Sequence, residues 1–203
     1  MEIHLFVEER SAKAALSILV PRILKDRAAH RIIEFSGKTK MLAELPSRLR
    51  GYRKRLERED LRILILIDED REDCRALKTK LEGIAREAGL VTKTAAGQGP
   101  FRVVTRIAVE ELEAWYFGDH AALYAGYDRL PKTLHQKKPY RDPDAIKGGT
   151  CEQLHRELVK AGYDFPHFPK IAAARIIAER MDPAVNRSRS FQTFRSGLES
   201  FLS

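Results

Sequence analysis

Four short runs of apolar residues alternate with longer amphipathic stretches over the first 117 residues. The runs at 3–7, 31–35, 61–67 and 102–109 are rich in aliphatic residues, which is typical of buried strands. Between them, apolar residues recur every three or four positions, as on one face of a helix. The run at 61–67 contains the unbroken aliphatic stretch 63–67 and predicts a central parallel strand. This alternation predicts an α/β, Rossmann-like fold with a mostly parallel four-stranded sheet flanked by helices.

Proline interrupts two of the predicted helices. Pro21 lies in the helix that Ser11 is expected to cap, and Pro46 lies in the basic helix that follows Gly37. Because proline removes a backbone hydrogen bond, each helix is expected to be kinked or split. The small, glycine-rich residues 94–100 predict a loop, and Ser190 is expected to cap the last helix, from residue 191.

The last 84 residues differ from the rest because they contain no convincing strand pattern. Helical periodicity occurs at 121–127, 151–161, 170–181 and 191–201. We therefore predict an α/β core at 1–119 and a C-terminal helical subdomain at 120–203 that packs on it.

Length and composition exclude several classes of protein. The longest aliphatic run, 63–67, is far shorter than the roughly 20 residues that a membrane-spanning helix needs. No signal peptide is recognisable, so a cytoplasmic location and no membrane partner are expected. Cys74 and Cys151 have no paired spacing, which favours neither a zinc site nor a disulfide framework.

The net charge of +8 is unevenly distributed. Residues 37–58 contain eight basic and two acidic side chains, which favours binding to a phosphate backbone, although a solvated helix face is an equally good interpretation. A turn that caps the last helix is the simpler interpretation of residues 186–190. The residues expected to bind nucleic acid are Lys38, Arg48, Arg50, Arg53, Lys54, Lys170 and Arg187.

Carboxylates follow three of the four predicted strands, and parallel strands present their carboxyl ends at one edge of the sheet. Carboxylate oxygens suit Mg²⁺, and two such ions can activate water and stabilise a leaving oxygen in phosphodiester cleavage. A single Asp at a strand end is more often a helix cap or a turn residue. The argument for a metal site is therefore that carboxylates follow three strands at once. The acidic residues concerned are Glu8, Asp68, Asp70, Glu110, Glu111 and Glu113.

The segments VEER, LIDEDREDC, EELEAWYFGD and NRSRSF resemble a bacterial family named domain of unknown function 4276, over nearly the whole chain. That family is similar to Toprim domains, including those of overcoming-lysogenization-defect nucleases. Toprim domains carry a Glu after the first strand and a D-x-D after a later one, which match Glu8 and Asp68/Asp70. The resemblance implies Mg²⁺- or Mn²⁺-dependent phosphodiester chemistry, with Asp68 and Asp70 as metal ligands. Glu8 then binds a second metal or acts as general acid/base.

The same resemblance implies that a further acidic residue, Glu113 or Glu111, completes the site. It also implies a partner ATPase and a role in defence against phage. One departure is Glu9, which stands where most Toprim domains have a glycine. DNA is expected rather than RNA as the nucleic-acid partner. The sequence leaves open whether the protein forms a homodimer.

Three functions follow from these patterns. The first is a metal-dependent nuclease. The second is a non-catalytic adaptor that keeps the fold to bind nucleic acid or an ATPase. The third is an enzyme of phosphoryl transfer on free nucleotides.

Overall fold

The computed structural model describes residues 1–202, and within that range four strands form one parallel sheet. The strands are β1 (Glu2–Val7), β2 (Ala29–Glu34), β3 (Leu61–Asp68) and β4 (Val103–Ala108), in the order β2-β1-β3-β4. Leu5 of β1 pairs with Ile32 of β2 and with Leu64 of β3. The prediction of a parallel four-stranded α/β fold with β3 inside the sheet is confirmed.

Helices cover both faces of this sheet and form most of the C-terminal part. Their bounds are α1 (Arg10–Leu24), α2 (Lys38–Arg58), α3 (Cys74–Glu87), α4 (Lys93–Ala96), α5 (Ala114–Gly118), α6 (His120–Gly126), α7 (Thr150–Lys160), α8 (Lys170–Ala178) and α9 (Arg189–Glu199). Short 3₁₀ turns occupy Leu134–Gln136, Lys138–Tyr140 and Pro143–Ala145. Among residues 1–202, no helix combines the length and apolar character needed to cross a membrane.

The prolines do not divide their helices, so the expectation of a split was wrong. Helix α1 continues through Pro21, and α2 continues through Pro46. In each helix the apolar residues on both sides of the proline are buried, and this packing holds the helix together despite the missing hydrogen bond. The predicted loop at 94–100 begins with the single helical turn α4, which the Thr92 hydroxyl caps by accepting from the Ala95 N–H.

Two hydrophobic layers enclose the sheet. On one face, Phe6, Ile63 and Ile65 pack with α2 and α3. On the other face, Leu5 and Leu64 pack with α1 and with the apolar residues of α5 to α9. The C-terminal helices therefore share one continuous core with the sheet. A domain boundary at residue 119 stays a prediction.

A hydrogen-bonded clamp joins α5 to the start of α9. Trp115 Nε1 donates to Ser190 Oγ over 2.8 Å, and Asn186 Nδ2 donates to the Trp115 carbonyl over 2.8 Å. Ser188, rather than the expected Ser190, caps α9 by accepting from the Phe191 N–H. Ser190 lies inside the first turn of α9, because the helix begins two residues earlier than predicted. The segment NRSRSF thus has a clear structural role.

Candidate active site

The acidic residues lie where the order of strands reverses. The chain runs from β1 to β2 on one side and returns to β3 on the other side of β1, which opens a crevice at the carboxyl ends of β1 and β3. Glu8 directly follows β1, Asp68 ends β3, and Asp70 comes two residues later. The structure thus brings these three predicted residues to the position where parallel α/β sheets bind ligands.

The carboxyl groups are close enough to perturb one another. Burial and the neighbouring Asp70 carboxylate raise the pKa of Glu8 from 4.5 to about 7. Desolvation raises the pKa of Asp68 well above its ordinary value, and the carboxylates of Glu113 and Glu8 add to this effect. Glu8, Asp68, Asp70 and Glu113 are called the acidic cluster below. Such mutual repulsion is the electrostatic signature of groups that share a site.

The structure distinguishes Glu113 from Glu111. Glu113 is 1% exposed, and its Oε1 atom has no hydrogen-bond partner among residues 1–202. Burial raises the pKa of Glu113 to about 7, with Lys170 opposing the shift. Glu111 instead caps α7, because its Oε2 accepts from the Cys151 N–H over 2.8 Å and from the Thr150 hydroxyl over 3.0 Å. Glu113 is therefore the residue free to complete the site, whereas Glu111 stabilises a helix end.

Lys38 is held against one side of the acidic cluster. Its ammonium group contacts Asp70 Oδ2 at 2.8 Å and Glu72 Oε1 at 3.0 Å, and it donates to the Glu69 carbonyl. Burial lowers the pKa of Lys38, but the hydrogen bonds to Asp70 and Glu72 outweigh burial and leave the pKa above its ordinary value. A cation is thus fixed beside the carboxylates at the start of α2.

Lys170 supplies a second cation, at the start of α8. Its Nζ lies 3.4 Å from Glu9 Oε1. Burial lowers the pKa of Lys170, but the charges of Glu113 and Glu9 outweigh burial and raise it above its ordinary value. Both lysines stay charged, so each can bind a phosphate oxygen at neutral pH.

An open cavity of about 650 Å³ adjoins Lys170. It is lined by residues that follow β1 and β2, including Glu9, Arg10, Ser36 and Gly37. Gly37 has a φ of 99°, a backbone conformation that favours glycine and lets the chain turn sharply into α2. The cavity leaves open space beside Lys170.

Two loops at this edge hold each other in unusual backbone conformations. Asp70 and Glu110 have φ values of 53° and 61°, in the left-handed region that non-glycine residues rarely adopt. The Asp70 N–H donates to the Glu110 carbonyl over 2.7 Å, and the Glu110 N–H donates to Glu69 Oε2 over 2.9 Å. The loop after β3 is therefore positioned by the loop after β4.

Three of the seven predicted nucleic-acid-binding residues lie away from the acidic cluster, on the later part of α2. Helix α2 starts at the carboxyl edge of the sheet and runs back toward the amino edge, and its 21 residues span about 30 Å. Arg53 lies beside Gly89, which lies just after the end of α3, and the exposed Arg50 and Lys54 are its neighbours on α2.

The remaining two basic residues are held by local contacts. Arg48 stacks on the Phe35 ring at 4.8 Å and pairs with Glu44 at 3.1 Å. Arg187 is exposed and donates to the Arg141 carbonyl over 3.1 Å. The structure places Lys38 and Lys170 near the carboxylates, and it places Arg50, Arg53 and Lys54 toward the opposite edge of the sheet.

Tyr116 is a residue of this site that sequence reasoning missed. It is 1% exposed, and within the described part of the chain its hydroxyl has no hydrogen-bond partner. Burial raises its pKa well above the ordinary value, with added repulsion from Glu113 and Asp68. The segment AWYFG is apolar and predicts core packing, so the sequence contains no signal for a hydroxyl beside the cluster.

The carboxylate oxygens of the acidic cluster are of the kind that hard divalent cations prefer as ligands. Mg²⁺ and Mn²⁺ prefer carboxylate oxygens, and Glu8 Oε2, like Glu113 Oε1, is buried with no partner in residues 1–202. In the conformation described for these residues, no three His, Cys, Asp or Glu side chains form a ready ligand set. The residue types suit such an ion, but in this conformation their side chains do not converge on one point.

Comparison with known proteins identifies the family. No curated protein and no solved structure matches the chain. The similarity to Toprim domains therefore stays an inference from the sequence motifs. A family model matches residues 7–199, which include β2 to β4, helices α1 to α9 and the whole acidic cluster. The chain belongs to the family described as Domain of unknown function (DUF4276).

Proposed function

We propose that this protein is a metal-dependent nuclease that cleaves phosphodiester bonds in nucleic acid. The observation that carries the proposal is the acidic cluster at the strand reversal, where Glu8 and Glu113 each have a buried oxygen without a partner in residues 1–202. Burying unpaired carboxylates is costly, and structural roles do not require it. Such a cluster is typical of sites that bind cations.

The residues divide into those that hold metal and those that hold phosphate. Glu8, Asp68 and Asp70 would hold Mg²⁺ or Mn²⁺, with Glu113 as a fourth carboxylate. When bound, the ion supplies a strong electrostatic centre that lowers the pKa of water and stabilises charge on phosphate oxygens.

Lys38 and Lys170 flank the carboxylates and bind the phosphate backbone through their charged ammonium groups. Because Lys38 is paired with Asp70, substrate phosphate competes with that carboxylate for the same ammonium group. Glu8, with a pKa of about 7, can exchange a proton near neutral pH, as a general acid or base must.

The proposal is tested by a cleavage assay on plasmid and single-stranded substrates in Mg²⁺ and in Mn²⁺. The assay is run with and without the ATPase partner that the family resemblance implies. Asp68→Asn is expected to lower the rate by about 100-fold or more, because it removes a charged ligand. Asp73→Asn is the matched control: Asp73 caps α3 by accepting from the Ala76 N–H, and asparagine caps a helix equally well.

The control variant should cleave at the rate of the native chain. Absence of cleavage by the native chain under every one of these conditions would refute the proposal. Equal rates for the native chain and Asp68→Asn would refute it as well.

A non-catalytic adaptor is the second candidate, and one observation favours it. Lys38 and Lys170 are ion-paired within the site, to Asp70 and Glu9, so the protein already neutralises part of its acidic charge. An adaptor predicts that Glu8→Gln and Asp70→Asn leave binding of nucleic acid and of an ATPase unchanged. Charge reversal at Arg50 and Arg53 should abolish that binding.

A further inference from the structure

A second basic surface lies at the amino edge of the sheet, opposite the acidic cluster. It consists of Arg53, Arg62, Lys93, Phe101 and Arg102, and we call it the amino-edge surface. Two grooves of about 400 and 300 Å³ meet there, and both are lined by the segment 100–102. Strands of this sheet are about 20 Å long, so this surface is separate from the candidate active site.

An aromatic ring stands where the two grooves meet. Phe101 is partly exposed, and its ring packs against the buried Phe201 with the ring centres 5.7 Å apart. The Lys93 ammonium group lies over the Phe101 ring, 5.7 Å from its centre, so a base that stacks on this ring would displace the lysine side chain. The preceding loop makes its turn at Gly97, with a φ of 59°. The ring is thus fixed from the core side while part of it faces the grooves.

The cations around this ring are only partly neutralised. Arg62 and Arg102 share one carboxylate, that of Asp60, at 2.8 and 3.5 Å. Arg53 is 61% exposed and lies 3.7 Å from Glu57, which is a weak surface pair. Further exposed basic residues continue from Arg53 along α2. These residues are Arg50, Lys54 and Arg58.

We propose that the amino-edge surface binds single-stranded nucleic acid, with arginines on the phosphates and a base stacked at Phe101. Arginines that follow a groove beside an aromatic ring are the features with which proteins hold single strands. Bases in a duplex are already stacked on each other, so a ring at this position selects an unpaired strand. This inference goes beyond the proposed cleavage and does not depend on it.

The test measures binding of a fluorescent single-stranded oligonucleotide to the full chain by anisotropy, in EDTA, so that metal-dependent cleavage plays no part. Arg53→Ala/Arg102→Ala should weaken binding and reduce the slope of log K against log salt concentration by about 1.4, or about 0.7 per lost phosphate contact. Phe101→Leu keeps the apolar packing on Phe201 and should weaken binding by about fivefold or more.

Arg180→Ala is the matched control, because Arg180 is an exposed arginine on the helical part of the chain. Its affinity should stay within twofold of the native value, and a duplex of the same sequence should bind more weakly than the single strand. Circular dichroism checks that each variant is folded.

Three results would overturn the inference. The first is native affinity in the double arginine variant, and the second is native affinity in Phe101→Leu. The third is displacement of the fluorescent oligonucleotide by polyglutamate as readily as by unlabelled oligonucleotide. The cleavage proposal fails by a different result, the insensitivity of the rate to Asp68→Asn, so the two failures are distinguishable.

Discussion

Replacing Glu113 by glutamine removes one buried carboxylate from the acidic cluster and nearly preserves the side-chain volume. Glu113 is 1% exposed, and burial raises its pKa from 4.5 to about 7. Since one pKa unit corresponds to about 1.4 kcal/mol, ionising this group in the folded protein costs about 3 kcal/mol of stability. The native chain therefore carries a pH-dependent destabilisation that the glutamine variant lacks.

The direction of the pH dependence follows from proton binding. At pH 4 Glu113 is mostly protonated in both the folded and the unfolded chain, so it contributes little. Between pH 4.5 and 7 the unfolded chain releases the proton first, and the free energy of unfolding of the native protein falls as the pH rises. Above pH 7 the loss is complete. From pH 4 to pH 8, the stability of Glu113→Gln relative to the native chain should rise by about 3 kcal/mol.

Urea unfolding followed by circular dichroism at several pH values, in EDTA, measures this difference. A constant cost of burying the glutamine amide shifts all points equally and does not affect the trend. Asp73→Ala is the control, since it removes the cap of α3 and should destabilise the protein by about 1 kcal/mol at every pH from 6 to 8. If the advantage of Glu113→Gln is the same at pH 4 and pH 8, the reasoning about burial is wrong.

Two further predictions concern the clamp and the metal. A Cβ atom at Gly118 would overlap Asn186 Oδ1 and come within 2.9 Å of the Ser188 nitrogen. Gly118→Ala should therefore lower the free energy of unfolding, measured by thermal unfolding, by about 2 kcal/mol. Gly51→Ala is the control: Gly51 lies in α2 with open space around it, so this change should stabilise the protein by about 0.5 kcal/mol. Mn²⁺ should raise the unfolding temperature of the native chain but not that of Asp68→Asn, and an equal rise in both would exclude Asp68 as a ligand.

The sheet and its acidic edge were predictable from the sequence because both depend on local patterns. A buried apolar run such as 63–67 identifies a strand without knowledge of its neighbours, and parallel strands necessarily present Glu8 and Asp68 at one edge. The choice between Glu111 and Glu113 was not predictable. It depends on where the start of α7, some 40 residues later, docks against the loop after β4.

The positions of the basic residues along α2 indicate where each charge lies on the protein, which the net charge of residues 37–58 does not. A helix that follows a parallel strand runs back across the sheet, so a residue 15 positions after Lys38 lies about 22 Å along its axis. Helix geometry therefore places Arg53 far from Lys38. The prolines show the opposite case, since Pro21 and Pro46 have a strong local preference that the burial of their neighbours overrides.

The left-handed conformations of Asp70 and Glu110 place two acidic side chains where the backbone conformation favours glycine. Glycine adopts such a φ without penalty, whereas other residues pay about 1 kcal/mol. The acidic side chains stand there at a cost in folding energy, and at Asp70 that cost places a carboxylate against the Lys38 ammonium group. Because the Asp70 N–H donates to the Glu110 carbonyl, a change in the backbone of one loop would also move the other.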